Sequence, residues 1–116
     1  MTLPAYAEAV LTVVEAVPAG RVVTYGDVAA ALGTGGPRQV GRVMALWGGA
    51  VPWHRVIRAD GRPAAGHEVE ALARLAAEGC PLTADGSRVE LRAARWTPPV
   101  GAEWFDRGSD DGEGGA

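Results

Sequence analysis

The chain has 116 residues, 47% of them apolar, enough for one small domain built on a single core. No apolar run approaches the roughly 20 residues of a membrane span, and the lone cysteine, Cys80, excludes an internal disulfide and any multi-cysteine metal site. The net charge of −3 is unevenly spread: from Pro98 onward five acids stand against Arg107, a balance of −4, whereas residues 36–62 hold five arginines and only Asp60, a balance of +4.

Residues 4–17 read as a helix, because Tyr6, Val10, Val13, Val14 and Val17 recur at steps of three and four on one buried stripe. Pro18, Ala19 and Gly20 end it, and Arg21-Val22-Val23 forms a short extended connector. Thr24 is suited to cap a second helix over residues 25–32, with Asp27 near the positive end of its dipole and Gly33 as the stop. The glycine loop 33–36 leads to Pro37, which favours the first position of a third helix over residues 37–46. That helix turns Val40, Val43, Met44 and Trp47 inward, and Arg38, Gly41, Arg42 and Ala45 outward. Two short helices joined by a glycine turn, the second with an arginine-and-small outer face, form a helix-turn-helix pattern that lets cations approach a nucleic-acid backbone closely.

Residues 51–58 are mostly apolar and read as extended, with a turn at Asp60-Gly61. A fourth helix, residues 67–78, points Val69, Leu72, Leu75 and Ala76 inward, sets Glu70 and Arg74 as an outer pair, and stops at Gly79. Residues 82–92 alternate around the turn Ala84-Asp85-Gly86-Ser87 and read as a β-hairpin. The expected fold is therefore mainly α with a small β-hairpin, a winged helix-turn-helix DNA-binding domain over residues 1–97. Residues 98–116 are expected to be an acidic, glycine-rich tail, disordered past Arg107, with Trp104 and Phe105 docking back on the domain. His54 and His67 lack ligand spacing, so neither a metal nor a cofactor is expected. All eleven cations are arginine, which base recognition and genome-wide composition explain equally well.

Three segments in register carry a family resemblance. They are Gly20-Arg-Val-Val-Thr-Tyr-Gly-Asp-Val-Ala, Pro37-Arg-Gln-Val-Gly-Arg-Val-Met, and Val51-Pro-Trp-His-Arg-Val-Ile. Together they resemble the DNA-binding domain of the O6-alkylguanine-DNA alkyltransferases, over about residues 10–91. The reactive motif of those enzymes is Pro-Cys-His-Arg, and here it reads Pro52-Trp53-His54-Arg55. Displacing an alkyl group from guanine O6 needs a soft thiolate. An indole N–H donates a hydrogen bond and offers no available lone pair. Tryptophan at that position marks the alkyltransferase-like relatives, which bind alkylated guanine without repairing it, so the resemblance implies no enzyme.

The resemblance assigns roles residue by residue. Arg38 corresponds to the arginine finger that fills the gap left by a flipped nucleotide, and Tyr25 to the tyrosine that crowds the adjacent phosphate. Thr24, Gln39 and Arg42 are candidate DNA-backbone contacts. Val51, Pro52 and Trp53 would shape the lesion pocket. Arg58 and Arg62 would flank its opening, in a loop that lacks the enzymes' pocket-closing tyrosine, so larger adducts are expected to fit. His54 and Glu78 match the general base and its orienting acid; with Arg55 they are expected to remain as a hydrogen-bonded scaffold. No pocket residue is carried over from between Val40 and Pro52, where the chain is shorter than the enzymes. Trp47 is expected in the core, and Cys80 is expected to be structural.

The function implied is a sensor that binds O6-alkylguanine in double-stranded DNA from the minor groove, flips the base, and flags it for nucleotide excision repair proteins. Such a protein is expected to be a cytoplasmic monomer, nucleoid-associated when DNA-bound and without membrane contact. The alternatives are a winged-helix regulator that reads undamaged sequence, and an enzyme using Cys80 or His54.

Overall fold

The computed structural model describes residues 3–110, the side chains of residues 107–110 excepted. Helix α1 (Ala5–Glu15) buries Ala7, Ala9, Val10, Val13 and Val14, and strand β1 (Val23–Thr24) follows. Helices α2 (Tyr25–Leu32) and α3 (Pro37–Trp47) form the helix-turn-helix. The turn between them depends on glycine. Gly33 closes α2 in the left-handed region at φ 75°, and at Gly35 (φ 78°) a Cβ would collide with the Tyr6 ring. That ring belongs there, because the Tyr6 hydroxyl donates to the Thr34 carbonyl at 3.1 Å and ties α1 to the turn.

After α3 the chain makes two one-turn 3₁₀ segments, Gly48–Ala50 and Trp53–Arg55, before strand β2 (Val56–Ile57). The expected extended run over residues 51–58 is thus extended only at its end. Its two strand residues pair in parallel with β1, Val23 opposite Val56 and Thr24 opposite Ile57. This pairing sets the start of the helix-turn-helix beside the end of the Trp53-His54-Arg55 turn.

Helix α4 (Glu68–Ala77) buries only the narrow stripe of Ala71 and Leu75. Val69, expected inward, is 86% exposed, and Ala76 is exposed as well. The hairpin expected over residues 82–92 shrinks to one antiparallel bridge, Leu82 with Val89, around the Asp85 turn. The ladder stops there because helix α5 (Leu91–Ala94) begins two residues later.

The carboxy-terminal segment departs most from expectation. Helix α6 (Glu103–Asp110) packs along α1, and Trp104 is 1% exposed within the core of α1, α2 and α3. The Trp104 indole donates to the Pro99 carbonyl at 2.7 Å, and Gly101 N–H bonds the Ala31 carbonyl at the end of α2. Trp104 and Phe105 do dock back, but helical order continues to Asp110, past the point where disorder was expected. Residues 111–116 of the expected tail lie outside the described residues. A second cluster of Val22, Ile57, Leu75, Cys80, Val89 and Ala94 fills the space under α4. Cys80 is buried there, and burial pushes its thiol up, in keeping with a structural role.

Candidate nucleic-acid interface

The α2–α3 face is built by local capping. Thr24 Oγ1 accepts from Asp27 N–H and Asp27 Oδ2 accepts from Thr24 N–H, both at 3.0 Å, a reciprocal capping box. Arg95 adds a bidentate contact to the same carboxylate, at 2.6 and 3.0 Å. The start of α2, and with it Tyr25, is therefore anchored from two directions. Burial acts to raise the Asp27 pKa, but the Arg95 and Thr24 hydrogen bonds outweigh it and the net direction is down.

Arg38, Arg42 and Arg58 are exposed and make no side-chain hydrogen bond or ion pair among the described residues. Their cations are thus not committed within the fold, unlike those of Arg55, Arg74 and Arg95. A shallow depression is lined by Thr24, Tyr25, Gly26, Pro37, Arg38, Gly41, Arg58 and Ala59. On the other side of Tyr25 and Gly41, which line both, lies a cleft of about 520 Å³. Its remaining lining comes from Met44, Ala45, Gly48 and Gly49 after the middle of α3, from Trp53, from Ala64 and Ala65, and from His67 and Glu70 at the start of α4. Burial pushes the Tyr25 hydroxyl up, with the Arg58 guanidinium pulling the other way, so it stays a neutral phenol at the ridge between the two depressions.

The Trp53 ring is braced by its neighbours. The Arg74 guanidinium lies 5.3 Å from the ring centroid, and the His67 ring meets it edge-on at 5.7 Å. Next to Trp53, His54 is 6% exposed, with Nε2 2.8 Å from Glu78 Oε2. Arg55 grips the same carboxylate through Nε at 3.1 Å and Nη2 at 2.7 Å, and donates from Nη1 to the Val17 carbonyl at 2.9 Å. Gly20 N–H adds a fourth contact to Glu78 at 3.0 Å. Hydrogen bonding by Arg55, followed by that of Gly20 and His54, overcomes desolvation and holds Glu78 down at about 2. The Nδ1 atom of His54 is buried with no protein partner among the described residues.

The structure thus brings His54, Arg55 and Glu78 into one network and sets Tyr25, Arg38 and Arg58 around one depression, with Arg42 exposed one turn after Arg38 on α3. Other expected positions differ. Thr24 is 6% exposed and its hydroxyl accepts from Asp27, so it caps α2 at the edge of the depression. Gln39 spends its carbonyl oxygen on Gly36 N–H at 2.9 Å. Of the expected pocket residues only Trp53 lines the cleft. Val51 faces a separate groove against Leu11, Thr12, Glu15 and Ala16, and Pro52 starts the 3₁₀ turn that carries Trp53. Arg58 lies in the shallow depression, and Arg62 pairs weakly with Asp60 at 3.7 Å. The cleft residues between Val40 and Pro52, with His67, Glu70 and Arg74, escaped the sequence reading. The Glu70–Arg74 spacing was visible, but nothing in it pointed to Trp53.

Comparison with known proteins bears on this arrangement. Residues 5–80 match the family model described as 6-O-methylguanine DNA methyltransferase, DNA binding domain. The chain is 35% identical over 96 residues to a DNA base-flipping protein of Escherichia coli K12, covering 78% of this chain and 74% of that one. A DNA base-flipping protein of Vibrio parahaemolyticus is 32% identical over 94 residues, covering 77% and 93%. Among solved structures, S. pombe Atl1 in complex with damaged DNA containing O6-carboxymethylguanine superposes with a TM-score of 0.70 at 31% identity, covering 84% of this chain and all of that one. S. pombe ATL in complex with DNA gives 0.69 at 32% identity, with the same coverage.

Proposed function

This chain belongs to the family of the 6-O-methylguanine DNA methyltransferase DNA-binding domain, and from that premise we propose that it is a non-enzymatic sensor of O6-alkylguanine in duplex DNA. The observation that carries the reading is Trp53. An indole, not a thiol, lines the cleft next to the His54–Glu78 pair, on the side of Tyr25 away from the uncommitted arginines. A ring at that point offers an apolar wall to an extruded base and no atom able to take an alkyl group.

The steps carry over the roles that the resemblance implies, and the cleft and the exposed arginines support them. Arg42 and Arg58 meet the phosphate backbone of a duplex approached from the minor groove. Tyr25, a neutral phenol on the ridge, crowds the phosphate beside the lesion. Arg38 enters the stack as the base leaves, and its planar cation offsets the few kcal/mol of unstacking. The alkylated guanine passes over Tyr25 and Gly41 into the cleft. Glu78, Arg55 and His54 hold the Trp53 turn in shape without moving a proton. With no chemistry to complete, the complex persists and flags the lesion for nucleotide excision repair proteins. The protein works as a monomer inside the cell, on the nucleoid.

The test is a binding comparison between a duplex with one O6-methylguanine and an otherwise identical plain duplex, joined to intact-protein mass after incubation. Tighter binding to the lesion with no gain of a methyl group is the expected result. Equal affinity would favour a sequence-reading regulator, and a methyl gain would make the protein an alkyltransferase through Cys80 or another group.

A further inference from the structure

Most of the cleft wall is small or apolar and cannot tell one alkyl group from another except by size. Four lining side chains carry polar atoms: Tyr25, Trp53, His67 and Glu70. The Trp53 indole N–H only donates, so it offers nothing to a hydrogen-bond-donating end. Tyr25 stands on the ridge, and the His67 ring packs edge-on against Trp53, where an imidazole is able to donate or accept and so selects for neither. Glu70 differs. One carboxylate oxygen, Oε2, accepts from Arg74 Nη2 at 2.7 Å, while Oε1 makes no hydrogen bond among the described residues. Arg74 is not part of the lining; its guanidinium lies over the Trp53 ring. An occupant of the cleft therefore meets an acceptor oxygen.

We infer that Glu70 sets the adduct specificity of the cleft, favouring O6-alkyl groups whose far end donates a hydrogen bond over alkyl groups of equal size and over anionic ends. This rests on the lesion-binding reading above and concerns only what the adduct carries beyond its first carbons. In the free protein Glu70 and Arg74 are 56% and 48% exposed, so water satisfies Oε1. Bound DNA and an extruded base displace that water and lower the local dielectric. A methyl-terminated adduct then leaves the carboxylate oxygen without a partner, whereas a hydroxyl or ammonium end replaces the lost water. A carboxylate end faces like charge, which disfavours it further.

Competition binding with four duplexes tests this, each identical except for O6-methyl-, O6-propyl-, O6-(2-hydroxyethyl)- or O6-carboxymethylguanine. Hydroxyethyl and propyl differ only by OH for CH₃. The full chain is expected to bind hydroxyethyl roughly three- to tenfold tighter than propyl, the range of an ordinary hydrogen bond at a half-exposed acceptor, with carboxymethyl weakest. Glu70→Ala should bring hydroxyethyl and propyl to parity and improve carboxymethyl binding, and Val69→Ala, at an exposed neighbour outside the cleft lining, should keep the hydroxyethyl preference. Circular dichroism of each variant checks that helix content is retained. Parity in the unmodified protein, a preference that survives Glu70→Ala, or one lost in Val69→Ala overturns the assignment. If the unmodified protein fails to prefer O6-methylguanine over plain duplex, the lesion-binding reading falls, and this one with it.

Discussion

His54 Nε2 and Glu78 Oε2 lie 2.8 Å apart, and the same carboxylate also takes two hydrogen bonds from Arg55. The pair joins two distant stretches of chain, the turn that carries Trp53 and the C-terminal end of α4. Glu78 is therefore a structural keystone for the cleft, whatever chemistry the cleft performs.

Its removal should be costly. Glu78→Gln leaves the cation of Arg55 without its counter-charge at a site where both side chains are mostly buried. Breaking such a pair costs on the order of 3 kcal/mol, read as a lower urea midpoint. The pH dependence has a definite sign. The folded value of about 2 lies below the ordinary 4.5, so the unfolded chain binds more protons in between. The stabilisation is complete above pH 4.5 and is lost as pH falls toward 2. Asp27 and Asp85 are also lowered and add acid sensitivity of their own, so the informative quantity is the difference between the two proteins. Glu78→Gln should flatten the stability profile below pH 4.5; identical profiles would remove Glu78 from the account.

Arg38 should separate binding from folding. Its side chain is exposed near the start of α3 with no partner among the described residues. Arg38→Ala is expected to leave the melting temperature within about 3 °C, since isolated surface changes seldom exceed about 0.5 kcal/mol. Lesion affinity should fall about tenfold or more, because the unstacking cost of a few kcal/mol is no longer offset. Fluorescence anisotropy with a lesion duplex measures this, and unchanged affinity would deny Arg38 the finger role.

Arg42 and Arg58 should act through phosphate instead. Each neutralised phosphate contributes about −0.9 to the slope of log affinity against log salt. Single alanine variants of Arg42 and Arg58 are expected to reduce that slope by about one each, equally for lesion and plain duplex. A loss confined to lesion DNA would instead assign the arginine to base recognition.

How much of this was legible in the sequence depended on how local the signal was. Thr24, Asp27, Gly33 and Pro37 act within a few residues of themselves, and the bounds of α2 match the expected 25–32. The parallel pairing of Val23–Thr24 with Val56–Ile57 is two residues long and spans over thirty in sequence, too little pattern to read. Val69 looked like part of an apolar stripe, yet the start of α4 borders the cleft rather than the core. The motif residues Tyr25, Trp53, His54 and Glu78 were recognisable by resemblance, whereas the cleft wall of Gly41, Ala45, Gly48 and Gly49 was not. Gly41 and Ala45 were legible only as the small outer face of α3, and Gly48 and Gly49 lie past the helical pattern.

Trp104 turns the carboxy-terminal segment from an expected tail into part of the core. Its ring is 1% exposed against α1, and its indole N–H bonds the Pro99 carbonyl. Trp104→Ala should cost about 3–5 kcal/mol, the range for emptying a buried aromatic site, measured by denaturant unfolding. A truncation after Pro99 should destabilise comparably, so any change in its DNA binding has to be judged at a temperature where the shortened chain is still folded. A truncation after Asp110 keeps α6 and should leave the unfolding midpoint near that of the full chain.

The cleft also makes a prediction about adduct size. Gly41, Ala45, Gly48, Gly49, Ala64 and Ala65 contribute little or no side-chain bulk to a space of about 520 Å³, larger than a methylated guanine needs. Bulky O6-alkyl guanines should therefore bind at least as tightly as O6-methylguanine, each added buried methylene contributing up to about 0.8 kcal/mol. Filling the space from the protein side should reverse the order. Ala45 is exposed on α3, so a larger side chain is accommodated there without disturbing the core. In Ala45→Leu, methyl-adduct affinity should stay within about threefold while benzyl-adduct affinity falls by about tenfold or more, roughly the 1–3 kcal/mol of overpacking. A steep decline with adduct size in the unmodified protein would mean that the extruded base sits elsewhere, with its O6 substituent pointing away from these small residues.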